Sequence, residues 1–154
     1  MSARNDRAAG VLVGLAAGDS LGAGYEFGTA FEGPVEMKGG GPFGWEPGEW
    51  TDDTQMAICI AEQAATGDLD LDALGDRFSA WASEATDIGN QTRAVLSRAI
   101  DGSDLPAVAA EYFRERPTHA AGNGSLMRTG PVALAYLGDR DRIAEAAAEI
   151  SALT

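Results

Sequence analysis

Three observations on this 154-residue sequence predict an all-α fold. Apolar residues recur at spacings of three and four along most of the chain after Thr51, which is the period of an amphipathic helix. No alternating run of apolar and polar residues is long enough for a strand. Glycine or proline separates the successive helical segments. The length suits one domain, whose folding would bury roughly two-thirds of the surface of the extended chain.

The helices are predicted in chain order. A first helix has one apolar face and ends near Gly18; the residues of that face are Ala8, Val11, Leu12, Leu15 and Ala16. A second helix is expected over residues 52–66, with Gly67 just past its end. The third follows the stripe Leu71, Leu74, Phe78 and Trp81. The others are expected from residue 94 to near Gly102, from Asp104 and Pro106 toward Arg114, and after Asp139, with Ile143, Ala147 and Ile150 on one face.

The amino-acid composition argues against some classes of binding partner. The formal charge is −13 and the only lysine is Lys38, so phosphate backbones and anionic membranes would be repelled. The single cysteine, Cys59, excludes an internal disulfide. The apolar run at 8–17 is interrupted by glycine and is too short to span a bilayer. We therefore expect a cytoplasmic protein that binds neither nucleic acid nor membrane.

The acidic stretch Thr51-Asp52-Asp53-Thr54 stands where a loop rich in glycine and proline, residues 29–50, gives way to a helix. One interpretation is a helix cap, with Asp52 as N-cap and Gln55 three residues on. One carboxylate is enough for a cap, however, and two carboxylates with flanking hydroxyls suit a Mg²⁺-type cation. Asp19 and Glu26 are further acidic residues that could converge there. A loop as long as 29–50 is typical of a lid or binding loop.

Two later interruptions of the helical pattern also contain candidate site residues. Asp87 to Asn90 supplies a carboxylate and an amide between two helices, although Asp, Gly and Asn are also common turn residues. Gly122 to Arg128 places an asparagine between glycines, with Ser125 as a possible N-cap whose helix start could hold an anion. The only histidine, His119, is interpreted as an ordinary surface residue.

These stretches, taken in order, resemble the ADP-ribosylglycohydrolase family, which includes the enzyme that removes ADP-ribose from dinitrogenase reductase. The resemblance depends on residues 14–26, on Trp50 to Thr54, on Asp87 to Asn90 and on Gly122 to Arg128. Together the four motifs extend over nearly the whole chain in the family's order. The resemblance implies orthogonally packed helices and hydrolysis of an N- or O-glycosidic bond to ADP-ribose.

The resemblance also implies roles for individual residues. Thr51, Asp52 and Asp53 match ligands of a pair of Mg²⁺ or Mn²⁺ ions. Glu26 and Asp87 match carboxylates near the metals, and the sequence does not decide which of them is catalytic. The positions that match the substrate cleft are Gly89, Asn123, Gly124, Ser125 and Met127. The expected substrate is an ADP-ribosylated protein or a small ADP-ribosyl compound.

The sequence departs from the family in its extent. Family members are about twice as long, and nothing after Asp87 resembles their second ligand cluster, an Asp-Thr-Asp-Thr-like motif. Residues 1–154 are therefore expected to be the N-terminal portion of a single domain, without activity alone and prone to self-association through exposed core faces. The alternatives are a non-catalytic fragment that binds ADP-ribose or a partner, and a truncated gene product without a function of its own.

Overall fold

The helical spacing of the sequence appears as seven α-helices in the computed structural model of the protein, which describes residues 2–154. They are α1 (Ala3–Gly22), α2 (Asp52–Ala64), α3 (Leu71–Ala82), α4 (Asn90–Leu96), α5 (Leu105–Glu115), α6 (Val132–Ala135) and α7 (Arg140–Ser151). The described residues contain no strand, only one antiparallel bridge between Gly40 and Trp45. The predicted all-α fold is confirmed.

Local signals placed most helix ends correctly. Asp70 and Asp139 cap α3 and α7 by accepting backbone N–H bonds in the first turn, as N-cap side chains do. Gly67 follows α2 with a φ of 96°. Three boundaries were predicted wrongly: α1 continues to Gly22, and α4 begins at Asn90 and ends at Leu96. Ile100, which was assigned to α4, lies beyond it and is 92% exposed.

The core is built around α2, which packs against α1, α3 and α6. Its inward residues meet apolar side chains from α3, α4, α5 and α7, and all of these are fully buried: Met56, Ile60, Leu74, Phe78, Val95, Leu105, Ile150 and Leu153. The central residues of the stripes on α3 and α7 are therefore covered inside this chain. The expectation that they are exposed core faces is wrong for Leu74, Phe78 and Ile150.

The large apolar residues that do face solvent lie elsewhere. Many belong to residues 27–50, and the others are scattered over α1, α5 and the loops; examples are Val13, Phe27, Phe31, Phe43 and Leu126. Along α1, the predicted apolar face is half-buried, and so is the end of the helix at residues 19–21, where Ser20 is buried. Among residues 2–154, no helix combines the length and apolar composition that crossing a bilayer requires.

Candidate active site

A cleft of about 270 Å³ opens beside the N-terminal end of α2. Four segments form most of its walls: residues 26–27, the first turn of α2, residues 87–92 at the start of α4, and the loop before α6. Phe43 and Thr154 also line it. Nine of the predicted site residues line it, namely Glu26, Asp52, Asp53, Asp87, Gly89, Asn123, Gly124, Ser125 and Met127. Thr51 lies in a smaller adjoining pocket with Asp19, Glu26 and Asp53.

The N-terminus of α2 is capped from another helix. Thr51 occupies the N-cap position, but its side chain makes no capping bond. Instead, the carboxylate of Asp19 on α1 accepts bonds from the backbone N–H groups of Thr51 and Thr54, at 2.8 and 3.1 Å. The hydroxyls of the same two residues also donate to Asp19, at 2.7 and 2.6 Å. The interpretation of Asp52 as the cap is therefore wrong.

Asp52 instead connects two walls of the cleft. It is the first residue of α2, and its Oδ2 accepts the backbone N–H of Gly89 at 3.3 Å. Asp53 faces the same space, and its Oδ2 lies 3.4 Å from the hydroxyl of Thr51. The acidic pair is thus turned into the cleft and not used to satisfy its own helix.

The carboxylates repel one another strongly enough to change their acidity. Partial burial and the neighbouring charges of Asp53 and Asp87 raise the pKa of Asp52 to about 7. Burial and the charge of Asp19 raise the pKa of Asp53. Glu26, although on the exposed side of the cleft, has its pKa raised by burial and by Asp53, Asp19 and Asp87. Unbalanced negative charge at this density favours a bound cation or proton.

Asp87 is buried at the back of the cleft, where only 6% of the residue is exposed. Its Oδ2 accepts a hydrogen bond from Nε1 of Trp45 at 3.1 Å. Its Oδ1 is also buried and has no hydrogen-bond partner among the described residues. One carboxylate oxygen is therefore held by the loop 29–50, while the other is buried without a hydrogen-bond partner among the described residues.

The loop before α6 differs from its predicted form. Asn123 to Ser125 is a single 3-10 turn and not the start of an α-helix, so Ser125 is no helix N-cap. Its hydroxyl pairs with that of Ser151 at 2.7 Å. Gly124 lies so close to α4 that a Cβ there would be 3.1 Å from the Thr92 hydroxyl. An anion in this part of the cleft would meet loop amides without the dipole of a helix.

Arg128, the last residue of the same motif, points away from the cleft and is completely buried. One guanidinium nitrogen donates to the Ile150 carbonyl at 3.1 Å, and the group lies 4.5 Å from the ring centroid of Phe78. Burial lowers the pKa of Arg128 to about 10. It anchors the loop to the core and to the end of α7.

Sequence reasoning missed three features of the cleft. Trp45 and Gln91 were not singled out, although Trp45 holds Asp87 and Gln91 lines the cleft with a buried Oε1 that has no partner in the described chain. Phe27 lines the cleft with a φ of 60°, the only positive φ of a non-glycine residue among those described. These features depend on contacts between distant segments, and no local pattern signals them.

The donor set fits a divalent cation in chemistry and charge but not in number. Carboxylate and hydroxyl oxygens are the ligands that Mg²⁺ prefers, and Thr51, Asp52 and Asp53 present them beside a cluster of repelling carboxylates. Within residues 2–154, however, no group of three or more acidic, histidine or cysteine side chains is arranged to hold one ion. The acidic side chains of the described residues alone would not complete the coordination of such an ion.

Comparison with known proteins gives consistent matches over nearly the whole chain. The family model described as ADP-ribosylglycohydrolase matches residues 1–154. The chain is 37% identical over 139 residues to ADP-ribosylarginine hydrolase Tri1 of Serratia proteamaculans, covering 84% of this chain and 36% of that protein. It is 38% identical over 142 residues to ADP-ribosyl-[dinitrogen reductase] glycohydrolase of Rhodospirillum rubrum, covering 87% and 46%.

A solved structure agrees with these matches. An ADP-ribosylglycohydrolase-related protein complex superposes with a TM-score of 0.68 at 36% identity, covering 96% of this chain and 50% of that one. The described chain therefore spans half or less of the length of each of these three proteins.

Proposed function

We propose that this chain, which belongs to the ADP-ribosylglycohydrolase family, forms one wall of an active site that hydrolyses the glycosidic bond between ADP-ribose and a protein side chain or small molecule. The observation behind the proposal is the cleft, where four carboxylates face the loop Asn123 to Ser125. The names of the Serratia and Rhodospirillum relatives make an ADP-ribosylated protein, with arginine as the linked residue, the first substrate to test.

The proposal includes a Mg²⁺ or Mn²⁺ ion held by Thr51, Asp52 and Asp53. Thr51 donates its hydroxyl proton to Asp19, which leaves oxygen lone pairs for a cation, and the mutual repulsion of the carboxylates supplies the charge that a cation would neutralise. When bound, such an ion lowers the pKa of a coordinated water and stabilises developing negative charge. The remaining ligands would be water or residues outside this set.

The proposal also gives a catalytic role to one of the carboxylates of Glu26 and Asp87. Cleavage of a glycosidic bond generally passes through an oxocarbenium-like state with positive charge at the anomeric carbon. Asp87 and Glu26 both line the cleft, and either carboxylate could stabilise this charge or accept a proton from the attacking water. Comparison of Glu26→Gln with Asp87→Asn would separate the two.

The test of the proposed site is calorimetric titration of the chain with Mn²⁺ and then with ADP-ribose. We expect Asp53→Ala to abolish Mn²⁺ binding, because the cation loses one of its two carboxylates. The matched control is Asp141→Ala, which removes an exposed carboxylate on α7 and should leave the titration unchanged. Mn²⁺ binding of equal strength in Asp53→Ala and the parent would refute the assignment.

A further inference from the structure

Trp45 is the one large aromatic side chain of the loop 29–50 that is buried; only 6% of it is exposed. It lies 42 residues from Asp87 in sequence, yet its indole N–H donates to the Asp87 carboxylate at 3.1 Å, in a buried hydrogen bond. This is the only hydrogen bond that the Asp87 carboxylate makes within residues 2–154. The neutral, buried indole N–H of Trp45 thus holds the charged Asp87 side chain in place at the back of the cleft.

Repulsion from the neighbouring carboxylates acts against the observed position of Asp87. The charge of Asp87 is near enough to raise the pKa of both Asp52 and Glu26, and by the same repulsion those groups push on Asp87. Hydrogen bonds to charged groups are stronger than those between neutral groups. The indole N–H therefore opposes the displacement of Asp87 by its bond to Oδ2, and leaves Oδ1 without a partner among the described residues.

The local turn around Trp45 is shaped to present its ring. Gly40 and Trp45 pair through both backbone bonds, at 2.7 and 2.9 Å. Gly41, with a φ of 71°, lies beneath the indole, and a Cβ there would come within 2.8 Å of its Cζ3 atom. Phe43 also packs against the indole, with ring centroids 5.1 Å apart. Glycine at 41 thus lets the backbone approach the ring that reaches Asp87.

The same turn rests on the segment that leads to Glu26. A Cβ at Gly24 would lie within 3.0 Å of the carbonyl carbon of Gly39, so the two backbones are in direct contact there. The turn 39–45 therefore touches the chain on both sides of the cleft. It contacts the backbone at Gly24, two residues before Glu26, and it contacts the Asp87 carboxylate through the indole of Trp45.

We propose that Trp45 is a positioning residue that holds the Asp87 side chain in its place in the lining of the cleft, and that the glycine turn 39–45 presents the indole for this contact. The inference rests on the proposed function in so far as it takes the ligand to be ADP-ribose. Trp45 itself touches no substrate. Its effect on binding passes through Asp87.

The first measurement needs no ligand. In a ¹H–¹⁵N spectrum the indole N–H signal of Trp45, assigned by its absence in Trp45→Phe, should move upfield in Asp87→Ala as its hydrogen bond is lost. The indole signal of Trp50, which is 48% exposed, should stay in place in Asp87→Ala. An unmoved Trp45 signal in Asp87→Ala would show that the bond does not form and would overturn the proposal.

The second measurement is ADP-ribose affinity by calorimetry across a double-mutant cycle. Trp45→Phe should weaken binding about tenfold when Asp87 is present, as expected for loss of one hydrogen bond to a charged group. In the Asp87→Ala background the same change should have less than about a twofold effect, because Trp45 acts through Asp87. An equal loss in both backgrounds would show a general structural role and overturn the proposal.

Two glycines provide a matched control for the turn. Gly41 and Gly44 have nearly the same φ, 71° and 72°, but a Cβ at Gly44 meets nothing within 4 Å. Alanine at either position costs similar backbone strain, and only Gly41→Ala displaces the indole. We expect Gly41→Ala to reproduce both effects of Trp45→Phe and Gly44→Ala to reproduce neither. Equal effects of the two alanines would contradict the role of the turn.

The two measurements also separate this inference from the proposed function. If the parent chain fails to bind ADP-ribose while the Trp45 signal responds to Asp87→Ala, the proposed function fails and the positioning of Asp87 is supported. If ADP-ribose binds but the Trp45 signal does not respond, the proposed function is supported and the role of Trp45 is refuted.

Discussion

At the scale of single residues, the Asp19 carboxylate accepts hydrogen bonds from both the backbone N–H and the hydroxyl groups of Thr51 and Thr54. Both threonines are 2% exposed, so water cannot replace the lost acceptor. We predict that Asp19→Ala lowers the free energy of unfolding by about 2–4 kcal/mol, because several buried donors lose their partner. Asp52→Ala should cost less than about 1 kcal/mol, since Asp52 is not the cap. Urea unfolding measures both, and a larger loss for Asp52→Ala would restore it as the cap.

The raised pKa of Asp52 makes stability depend on pH. Its pKa is 3.8 in the unfolded chain and about 7 in the folded chain, so between these values the folded state keeps a proton that the unfolded state has released. This contribution to stability is fully present below pH 3.8 and is lost as the pH rises through 7. We predict that Asp52→Asn makes the fall of stability between pH 4.5 and about 8 shallower, in urea titrations with a chelator present. An unchanged slope would contradict the shift.

The elements themselves show how far local sequence predicts this fold. Helices α2, α3, α5 and α7 were predicted because their apolar period is a local signal, as are the caps of α3 and α7 and the proline near the start of α5. The early end of α4 was missed because the apolar period appeared to continue to Ile100, which is 92% exposed. The residues that could occupy a cleft were recognisable by type. The hydrogen bonds between Thr51 and Asp19 and between Trp45 and Asp87 join residues 32 and 42 positions apart. Only the packing of the folded chain brings these residues together.

The loop before α6 provides the prediction at element scale. Gly124 faces the cleft on one side and the Thr92 hydroxyl of α4 on the other, at 3.1 Å from the position of a Cβ. A valine there must push the loop away from α4 and into the cleft. We predict that Gly124→Val weakens ADP-ribose binding at least about tenfold and leaves Mn²⁺ affinity unchanged. Calorimetry with each ligand tests this, and unaltered ADP-ribose affinity would place the ligand elsewhere.

At the scale of the whole molecule, the chain has a closed core beside open surfaces. Its main apolar faces are buried inside residues 2–154, while Val13 on α1 is 67% exposed and a Cβ at Gly10, Gly14, Gly18 or Gly22 would meet nothing within 4 Å. The matched relatives are two to three times longer than the matched part of this chain. Self-association remains a prediction, and the exposed residues of α1 and the loop 29–50 are now its candidate surface, to be tested by sedimentation.

The last prediction follows from the small number of metal ligands that the described chain brings together. Mg²⁺ requires close to six oxygen ligands, whereas the described chain brings no three acidic, histidine or cysteine side chains together around one point. A second copy would only duplicate the ligands already present. We therefore predict that the purified chain releases no ADP-ribose from an ADP-ribosylated arginine peptide with Mg²⁺ or Mn²⁺, although it binds ADP-ribose. If the purified chain does release ADP-ribose, and Asp52→Ala abolishes the release, this chain is sufficient for catalysis. The carboxylates at the N-terminus of α2 then need no further ligand cluster.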